Sequence, residues 1–508
     1  MLQILFKGRV VLCALMLLVG REALASEAAE IAVKKLEVAA GLKVELFASE
    51  PQLQNPVAFS IDEQGRFFVA ESHRYKDSIF DITVHPPWLL EDLASRTVAD
   101  RAAFLEKTFT TNLHSLTNYS ELVRSIAADG KSAEVFQEGF NDTVSGTAAG
   151  IMARHGEVWF TCIPDLWRFK DGKREKMFTG FGVHIGVSGH DLHGLRQGPD
   201  GKIYFSSGDR GFSVTNKEGK LLDSPDTGAV LRCNPDGSNL EIFCMGLRNP
   251  QDLTFDSYGN LWTDDNDTSG PDDSRLLYLV EDGDYGWRCS YQHMKDYGPW
   301  CQDDMWKGKI DGNLPYSGTV ATGPAGINFY PGTGLSSKYD NHFFVCDFPK
   351  GVWSFTVKAN GASYELEKKE QFLWHLGPTK VEFAPGGDAY ISDWGTSYTM
   401  PNVGRIYRVS DPAATDAAAR AEVKQLLAEG MEKKSNEELG KLLGHVDMRV
   451  RLEAQWALAD KGAESADTFV AATKSANQLA RIHGVWGLGQ IKQSAALAAL
   501  LGDGDAEI

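Results

Sequence analysis

Two histidines stand three residues apart in a glycine-rich stretch of the chain. The stretch reads GHDLHGLRQGPDG over residues 189–201 and contains His190 and His193. An imidazole can accept a proton from a hydroxyl group because its pKa lies near neutrality. His190 is therefore a candidate general base, with a structural role at the rim of a site as the alternative. The spacing does not decide which of His184, His190 and His193 faces a ligand.

A second polar cluster lies further along the chain. It begins with Arg248 and Asn249 and ends in an acidic run over residues 264–273 that contains Gly270 and Pro271. The donor fork of an arginine suits carboxylates or quinone oxygens. Carboxylate and carbonyl oxygens around a Gly-Pro step are the hard ligands that calcium selects. The pattern predicts a calcium site, and a solvated acidic loop is the alternative.

The cysteines bear on both cross-linking and haem attachment. Seven occur in the chain, and Cys289 and Cys301 flank a polar, aromatic loop. This close pair is the best candidate for a disulfide, and buried free thiols are the alternative. No Cys-x-x-Cys-His sequence is present, so the sequence predicts no c-type haem within this chain.

The N-terminus and the net charge indicate where the protein acts. Residues 1–25 have a basic start, a short apolar run and small residues before a cleavage site after Ala25, as in a signal peptide. We therefore expect an exported protein, periplasmic or at the cell surface, with an uncleaved membrane anchor as the alternative. The formal charge of -18 argues against nucleic acid as a partner and predicts at most peripheral membrane association.

One sequence pattern recurs six times. Each copy has an apolar residue, a turn with glycine and a polar residue, two or three aromatic or β-branched residues, and then an acidic or small residue. Repeated hairpins of this kind predict an all-β fold, a six-bladed β-propeller, rather than a sandwich or another all-β fold. The copies begin at Phe59, Ile151, Leu195, Leu253, Ile327 and Val381.

Two segments depart from the hairpin pattern. Residues 74–124 have apolar residues at helical spacing and predict a helical insertion between blades, either a lid or a structural brace. After residue 410 the composition changes to Ala, Glu, Lys and Leu, which marks a domain boundary. Trp456 aligns with Trp486 in two similar segments, as in HEAT-like helical repeats. The propeller is therefore expected over 36–410 and the incomplete helical repeats over 411–508.

Three motifs carry a resemblance to a known family. In order and spacing, GHDLHGLRQGPDGKIYFSSGDRG, GLRNPQDLTFDSYGNLW and SGPDDSRLLYLVEDGDYGWR resemble the soluble glucose/sorbosone dehydrogenase family. The resemblance covers roughly residues 36–409. It implies a six-bladed propeller that binds pyrroloquinoline quinone and calcium and oxidises sugars.

The resemblance also implies roles for single residues. His190 matches the position of the general base, and Arg248 and Asn249 match the pair that contacts the quinone and polarises its reactive carbonyl. Gly270 and Pro271 match the positions whose backbone carbonyls hold calcium. A further residue, Asp273, lies near a carboxylate of that region.

The basic residues that hold the cofactor's carboxylates in that family are only partly matched. Lys380 is the one cation of residues 377–381, where the family places more, and Lys350 lies near another cofactor-lysine position without being in register. Both lysines are candidate cofactor ligands.

The whole arrangement resembles a larger group of proteins. A helical insertion, a propeller and HEAT-like helices together look like the exported "membrane-bound dehydrogenase" proteins of planctomycetes and verrucomicrobia, in which a cytochrome c domain commonly follows the helices. This resemblance implies a cytochrome as the electron acceptor. It also leads us to expect that the natural chain continues past Ile508.

The leading hypothesis is an exported oxidoreductase that oxidises sugar or polyol hydroxyls by hydride transfer to a quinone. One alternative is a calcium-dependent hydrolase of the lactonase kind, in which His190 or His193 activates water. Another is a carbohydrate- or protein-binding propeller without catalysis. Three aromatic residues could stack on a sugar ring, although blade packing is the better expectation for Trp287. They are Trp287, Tyr291 and Trp300.

Overall fold

The computed structural model describes residues 28–266, 273–288, 314–414 and 416–508. The expected signal peptide and the Cys289–Cys301 pair lie outside these residues. Within them, six antiparallel sheets follow one another along the chain as the blades of a propeller. The six-bladed fold predicted from the repeated hairpins is therefore confirmed. None of the helices in the described ranges combines the length and apolarity needed to cross a bilayer.

The N-terminal segment supplies two strands that join the last blades. These are β1 (Glu37–Val38) and β2 (Lys43–Ser49). The first two complete blades then follow in chain order. Blade 1 contains β3 (Pro56–Ile61), β4 (Phe67–Glu71), β5 (Glu121–Ile126) and β6 (Ala133–Phe140). Blade 2 contains β7 (Ile151–Arg154), β8 (Glu157–Cys162), β9 (Asp165–Lys170) and β10 (Lys173–Thr179).

Blade 3 carries an extra hairpin, and a short later strand pairs in parallel with its outer edge. Blade 3 contains β11 (Leu192–Gln197), β12 (Ile203–Ser207), β15 (Gly228–Cys233) and β16 (Glu241–Leu247). The hairpin is β13 (Phe212–Thr215) with β14 (Leu221–Ser224), and the edge strand is β20 (Gly283–Asp284). Blade 4 contains, in its described part, β17 (Thr254–Phe255), β18 (Leu261–Asp265) and β19 (Arg275–Leu279).

The last two blades are completed by the start of the chain. Strand β1 pairs with the outer strand of blade 5, and β2 pairs with β27 as the outer strand of blade 6. This pairing closes the ring. Blade 5 contains β21 (Pro324–Phe329), β22 (Phe343–Asp347), β23 (Gly351–Asn360) and β24 (Ser363–Trp374). Blade 6 contains β25 (Pro378–Phe383), β26 (Ala389–Asp393) and β27 (Arg405–Ser410).

The second strand of every blade is buried along its whole length except at the first residue of β8. Each of these strands has a neighbouring blade on both faces, which explains why the repeats contain nearly continuous aromatic and β-branched residues rather than an alternating pattern. The acidic residue that ends several repeats also has a structural role. In four blades it accepts a backbone N–H from the segment that enters the first strand. These residues are Glu71, Asp265, Asp347 and Asp393.

The helical insertion lies within blade 1, between β4 and β5, and not between two blades as expected from the sequence. The repeat pattern marks only the first hairpin of each blade, so it did not separate the two possibilities. The insertion contains α1 (Leu89–Ala94), α2 (Val98–Phe109) and the short 3-10 segments Ile82–Val84, Pro86–Trp88 and Thr110–Thr117.

A helical domain follows the propeller and is consistent with the predicted helical part, whereas the HEAT-like repeat assignment stays a prediction. Its last helices alternate with short turns and share one apolar core. The helices are α3 (Ala417–Glu429), α4 (Asn436–Leu442), α5 (Met448–Asp460), α6 (Ala466–Ala472), α7 (Gln478–Gln490) and α8 (Ser494–Ala498). Two further 3-10 segments are Ser337–Tyr339 and Gly462–Ser465.

The helical domain contacts the first hairpin of every blade. The two aligned tryptophans donate to successive blades: Nε1 of Trp456 to the Gly198 backbone oxygen at 3.2 Å, and Nε1 of Trp486 to that of Tyr258 at 2.9 Å. The other four hairpins are contacted through Gln64, Arg154, Pro331 and Ala384. The helices therefore cover the face on which the six first hairpins turn.

Candidate active site

A cavity of about 440 Å³ lies on the propeller axis, on the face opposite the helical domain. Part of its wall is formed by residues at or near the start of the first strand of each blade. One such residue from each blade, in chain order, is Val57, Thr147, His193, Gln251, Ala325 and Thr379. Convergence of all six blades on one polar cavity makes this the candidate active site.

His190 faces this cavity and is held by a buried carboxylate. Its Nδ1 lies 2.7 Å from Oδ1 of Asp209, so Nδ1–H donates to the carboxylate. The other carboxylate oxygen of Asp209 accepts the indole N–H of Trp287 at 2.9 Å. Asp209 and Trp287 are fully buried. Because Nδ1 carries the proton, Nε2 of His190 presents a lone pair that can accept another.

The other two candidate histidines have different surroundings. His193 lines the cavity, but burial lowers its pKa to about 4. Its Nε2 lies 2.8 Å from the backbone oxygen of Gly189, so the side chain is neutral and already engaged. His184 is buried away from the cavity between the insertion and blade 3. Of the three, His190 has the environment that suits a base.

Arg248 and Asn249 are positioned by the acidic residue of blade 4. Oδ1 of Asp265 accepts the backbone N–H of Arg248 at 3.1 Å and of Asn249 at 2.8 Å, while Arg275 donates to Oδ2 at 2.6 Å. Both residues line the cavity. The Arg248 guanidinium lies over the Trp287 ring, 5.5 Å from its centroid. Arg248 and Asp209 thus share one buried tryptophan, and Asp209 in turn binds His190.

Two polar atoms at this wall are buried and make no hydrogen bond to the protein in the part of the chain that the structure describes. They are Nε of Arg248, a donor, and Oδ1 of Asn249, an acceptor. Leaving such groups unpaired costs about 1–3 kcal/mol each. A ligand that offers both an acceptor and a donor would satisfy them.

The two predicted cofactor lysines are not brought together. Lys350 stands at the rim, where its Nζ donates to the hydroxyl of the cavity residue Thr322 and is about half exposed. Lys380 is buried below the cavity, with Nζ 2.6 Å from Oδ2 of Asp252 and 3.3 Å from Glu382. Lys380 therefore neutralises a buried carboxylate and does not line the cavity.

Only one of the three predicted calcium-site residues lies among the described residues. Gly270 and Pro271 lie outside the described residues, and Asp273 is exposed just before β19. Across the described ranges, one cluster of histidine and carboxylate side chains has metal-ligand spacing. It consists of Glu63, His155 and Glu453, at the joint between the propeller and the helical domain.

The insertion is fixed to the segment that leads to His190. The carboxylate of Asp92 accepts the backbone N–H groups of Ile185 at 2.7 Å and Gly186 at 3.1 Å. Burial alone would lower the pKa of His184, but Asp226 and Asp92 outweigh it and raise the pKa to about 9. A protonated His184 therefore links the insertion to blade 3 through two carboxylates.

A comparison with protein families shows to which family this chain belongs. Residues 28–412 match the family described as a domain of unknown function (DUF7133). The chain belongs to this family. The search of curated protein sequences returned no match.

The DUF7133 propeller is similar to solved structures of sugar dehydrogenases, the class that the three motifs resemble. A glucose dehydrogenase-type oxidoreductase from Thermus thermophilus has a TM-score of 0.45 and 16% identity, with 73% of this chain and 100% of that chain covered. The aldose sugar dehydrogenase of Streptomyces coelicolor, bound to PQQ, has 0.41 and 15%, with coverages of 74% and 100%. The Escherichia coli aldose sugar dehydrogenase has 0.45 and 13%, with 73% and 99%.

Sequence reasoning on this DUF7133 chain missed two residues of the site. Asp209 stands in the stretch SSGDRG, after a second strand, where other repeats have an acidic residue, so the pattern held a usable signal. Asp81 comes from the insertion and lines the cavity, which no local pattern indicated. Trp287 is buried beneath the site, in agreement with the packing role expected for it, while Tyr291 and Trp300 lie outside the described residues.

The cysteines with described positions are free. Cys162, Cys233, Cys244 and Cys346 are all buried and unpaired with one another. Burial raises their pKa values, so they are protonated at neutral pH and behave as small apolar side chains.

Proposed function

We propose that the axial cavity oxidises a hydroxyl group of a sugar or polyol by hydride transfer to a bound quinone, with His190 as the general base. The observation that carries the proposal is the His190–Asp209 pair in the cavity wall that also contains Arg248, because the bond from Nδ1 to Asp209 leaves Nε2 of His190 to accept a proton. A base of this kind, oriented by a carboxylate, typically contributes about 10²–10⁴-fold to a reaction rate.

The protein's part in the reaction is proton transfer and charge stabilisation. Nε2 of His190 accepts the hydroxyl proton of the substrate as the C–H hydride leaves the same carbon. The imidazolium that forms is stabilised by Asp209 through Nδ1–H. Trp287 holds the carboxylate in place through its second oxygen, so Asp209 keeps the ring in the productive orientation.

A quinone of the pyrroloquinoline type fits the wall that Arg248 and Asn249 form. Quinone and carboxylate oxygens can accept from the guanidinium, and a ring N–H can donate to Oδ1 of Asn249. The cavity of about 440 Å³ has room for a tricyclic cofactor and a monosaccharide. When bound, the quinone supplies the two-electron acceptor. We assign cofactor contacts to Arg248 and Asn249, with Lys350 at the rim, and withdraw Lys380 because of its ion pair with Asp252.

Calcium is the second cofactor of the proposal. Its ligands would be the backbone oxygens of Gly270 and Pro271, with Asp273 nearby, in the segment that follows Asn266. Asn266, the residue that follows β18, lines the cavity together with Arg248 and Asn249. A divalent cation there would add positive charge next to a bound anionic cofactor.

The remaining parts of the proposal concern the setting of the enzyme. We propose that it is exported to the periplasm or cell surface and passes its electrons to a cytochrome c, either a later domain or a separate protein. Because the helical domain covers the hairpin face, both the substrate and the electron acceptor would approach from the cavity side.

The proposal is tested by titrating calcium-loaded protein with pyrroloquinoline quinone and following dye reduction with a panel of sugars and polyols. Saturable binding and sugar-dependent reduction support the dehydrogenase. Calcium binding without quinone binding, together with lactone hydrolysis, would replace it by a calcium-dependent hydrolase. Sugar binding without any turnover would replace it by a binding module.

A further inference from the structure

The helical insertion places one carboxylate in the cavity wall. Asp81 precedes the 3-10 segment Ile82–Val84, and among the cavity-lining residues that the structure describes it is the only acidic side chain. The other ionisable side chains of the wall are the basic His190, His193, Arg248 and Lys76 and the phenols of Tyr75 and Tyr398. A single negative charge in such a wall affects which ligands are accepted.

Hydrogen bonds hold Asp81 in one orientation. Its Oδ1 caps the 3-10 segment by accepting the backbone N–H of Thr83 at 2.9 Å and the Thr83 hydroxyl at 2.5 Å. Its Oδ2 accepts the hydroxyl of Ser188 at 3.1 Å, two residues before His190. Each carboxylate oxygen has two lone pairs, so Oδ2 can accept a further hydrogen bond from a ligand in the cavity.

Asp81 is ionised and lies in the same cavity wall as His190. Burial opposes ionisation of Asp81, but the hydrogen bonds from Thr83 and Ser188 lower its pKa. The carboxylate is therefore ionised at neutral pH. It lies on the same stretch of wall as the base.

The insertion that carries Asp81 is fixed rather than loosely attached. The backbone N–H of Ile82 donates to the backbone oxygen of Gly186 at 2.9 Å, next to the two bonds that Asp92 accepts from the same segment. Phe80, the residue before Asp81, packs against Phe109 with ring centroids 5.0 Å apart. Asp81 is thus held by a backbone hydrogen bond to the segment before His190 on one side and by ring packing within the insertion on the other.

We propose that Asp81 is a substrate-specificity residue, which accepts a hydrogen bond from a hydroxyl or ammonium group of the substrate and excludes substrates with a carboxylate at that place. The substrate class is accordingly neutral or amino sugars and polyols, and not uronic or aldonic acids. The inference rests on the proposed function, since it places the substrate in the axial cavity beside His190.

Three probes test it: glucose, and glucosamine and glucuronate, which each differ from glucose in one charged group, an ammonium at C2 and a carboxylate at C6. Their binding to the full chain without quinone is measured by calorimetry at neutral pH, so no turnover is needed. We expect glucosamine to bind about tenfold or more tighter than glucuronate, with glucose between them, because a charge pair in a partly buried site exceeds a factor of ten. Asp81→Asn should bring the two charged sugars to within about threefold of each other.

The matched control is Asp77→Asn, which removes the same charge from an exposed position of the same loop that does not line the cavity. It should keep the wild-type order of affinities. This variant separates the charge of Asp81 from a general disturbance of the loop.

The outcomes are distinct from those of the dehydrogenase test. Equal affinities of wild-type protein for glucosamine and glucuronate, or an unchanged ratio in Asp81→Asn, would overturn the role of Asp81, whatever the turnover. Failure of all three sugars to bind at high concentration would overturn it too. Charge discrimination that depends on Asp81 in a protein that never reduces dye would support the binding role and reject only the dehydrogenase.

Discussion

The carboxylate of Asp209 joins the imidazole of His190 to the indole of Trp287. Oδ1 lies 2.7 Å from Nδ1 of His190, and Oδ2 lies 2.9 Å from Nε1 of Trp287. These three side chains come from the entry to β11, the end of β12 and the segment after β20. A buried acid with both oxygens engaged can hold a histidine in one tautomer and one orientation, which is what proton abstraction at a fixed place requires.

Replacement of Asp209 by Asn should keep the cavity but lose the orientation of the base. We expect kcat for dye reduction to fall about 10- to 100-fold with a smaller change in KM, as for other residues that orient a functional histidine. Asp223→Asn on the exposed face of β14 is the control and should leave both constants unchanged. An Asp209→Asn enzyme with wild-type kcat would show that the pair has a structural role only.

Replacement of Arg248 by Lys should weaken quinone binding. A lysine keeps the charge but loses the planar fork, and its ammonium cannot restore the buried Nε donor. We expect the dissociation constant for pyrroloquinoline quinone, measured by fluorescence quenching, to rise about tenfold or more. Arg66→Lys, at an exposed ion pair with Asp62, is the matched control. Equal quinone affinity of the Arg248 variant and the wild type would remove Arg248 from the cofactor site.

The repeated hairpins made the blades predictable because each first hairpin is local in sequence and its second strand has a continuous apolar run. The closing strands β1 and β2 were not predictable, since they pair with partners more than 300 residues away by a register that no local pattern records. No local pattern indicated Asp81 as a cavity residue. The insertion was assigned to the wrong place because the repeat pattern marks only the first hairpin of each blade. The ion pair of Lys380 was not predictable either, because its counter-ion, Asp252, lies in another blade.

That His190, Arg248 and Asn249 line one cavity could be expected from the sequence, because they stand in motifs that precede a first strand and in a propeller these segments meet on the axis. The role of Asp209 as a partner of His190 was overlooked, although Asp209 lies near the end of the first motif, in SSGDRG. A carboxylate after a second strand usually binds backbone N–H groups, as Asp347 and Asp393 do here, and only the structure distinguishes a side chain that binds an imidazole.

The link between the insertion and blade 3 should depend on pH. The folded-state pKa of His184, about 9, lies above its usual value of 6.5, so its stabilisation is complete below pH 6.5 and is lost as the pH rises through 9. We expect hydrogen exchange in residues 82–117 to accelerate between these pH values, beyond the intrinsic increase. His184→Gln, which stays neutral, should show fast exchange at both ends of the range. A wild-type insertion equally protected at both ends would contradict this account.

The two aligned tryptophans should each stabilise the docking of the helical domain. Trp456→Ala or Trp486→Ala removes a half-buried ring and its N–H bond to a hairpin, at a cost of about 1–3 kcal/mol each. We expect denaturant unfolding to separate into two transitions in the double variant, and protease to cut after β27. The Trp→Phe variants, which retain most of the apolar contact, should remain nearer the wild type. A single unchanged transition in the double variant would argue against docking through these residues.

The central claim is that His190 removes the proton from the substrate hydroxyl. The most direct measurement is dye reduction by quinone- and calcium-loaded protein with a saturating sugar, compared between wild type, His190→Ala and the exposed-site control His114→Ala, with and without added imidazole. The account predicts that His190→Ala lowers kcat by about 10²–10⁴-fold, that imidazole restores part of the loss, and that His114→Ala is unaffected. A His190→Ala enzyme that turns over at the wild-type rate would contradict it.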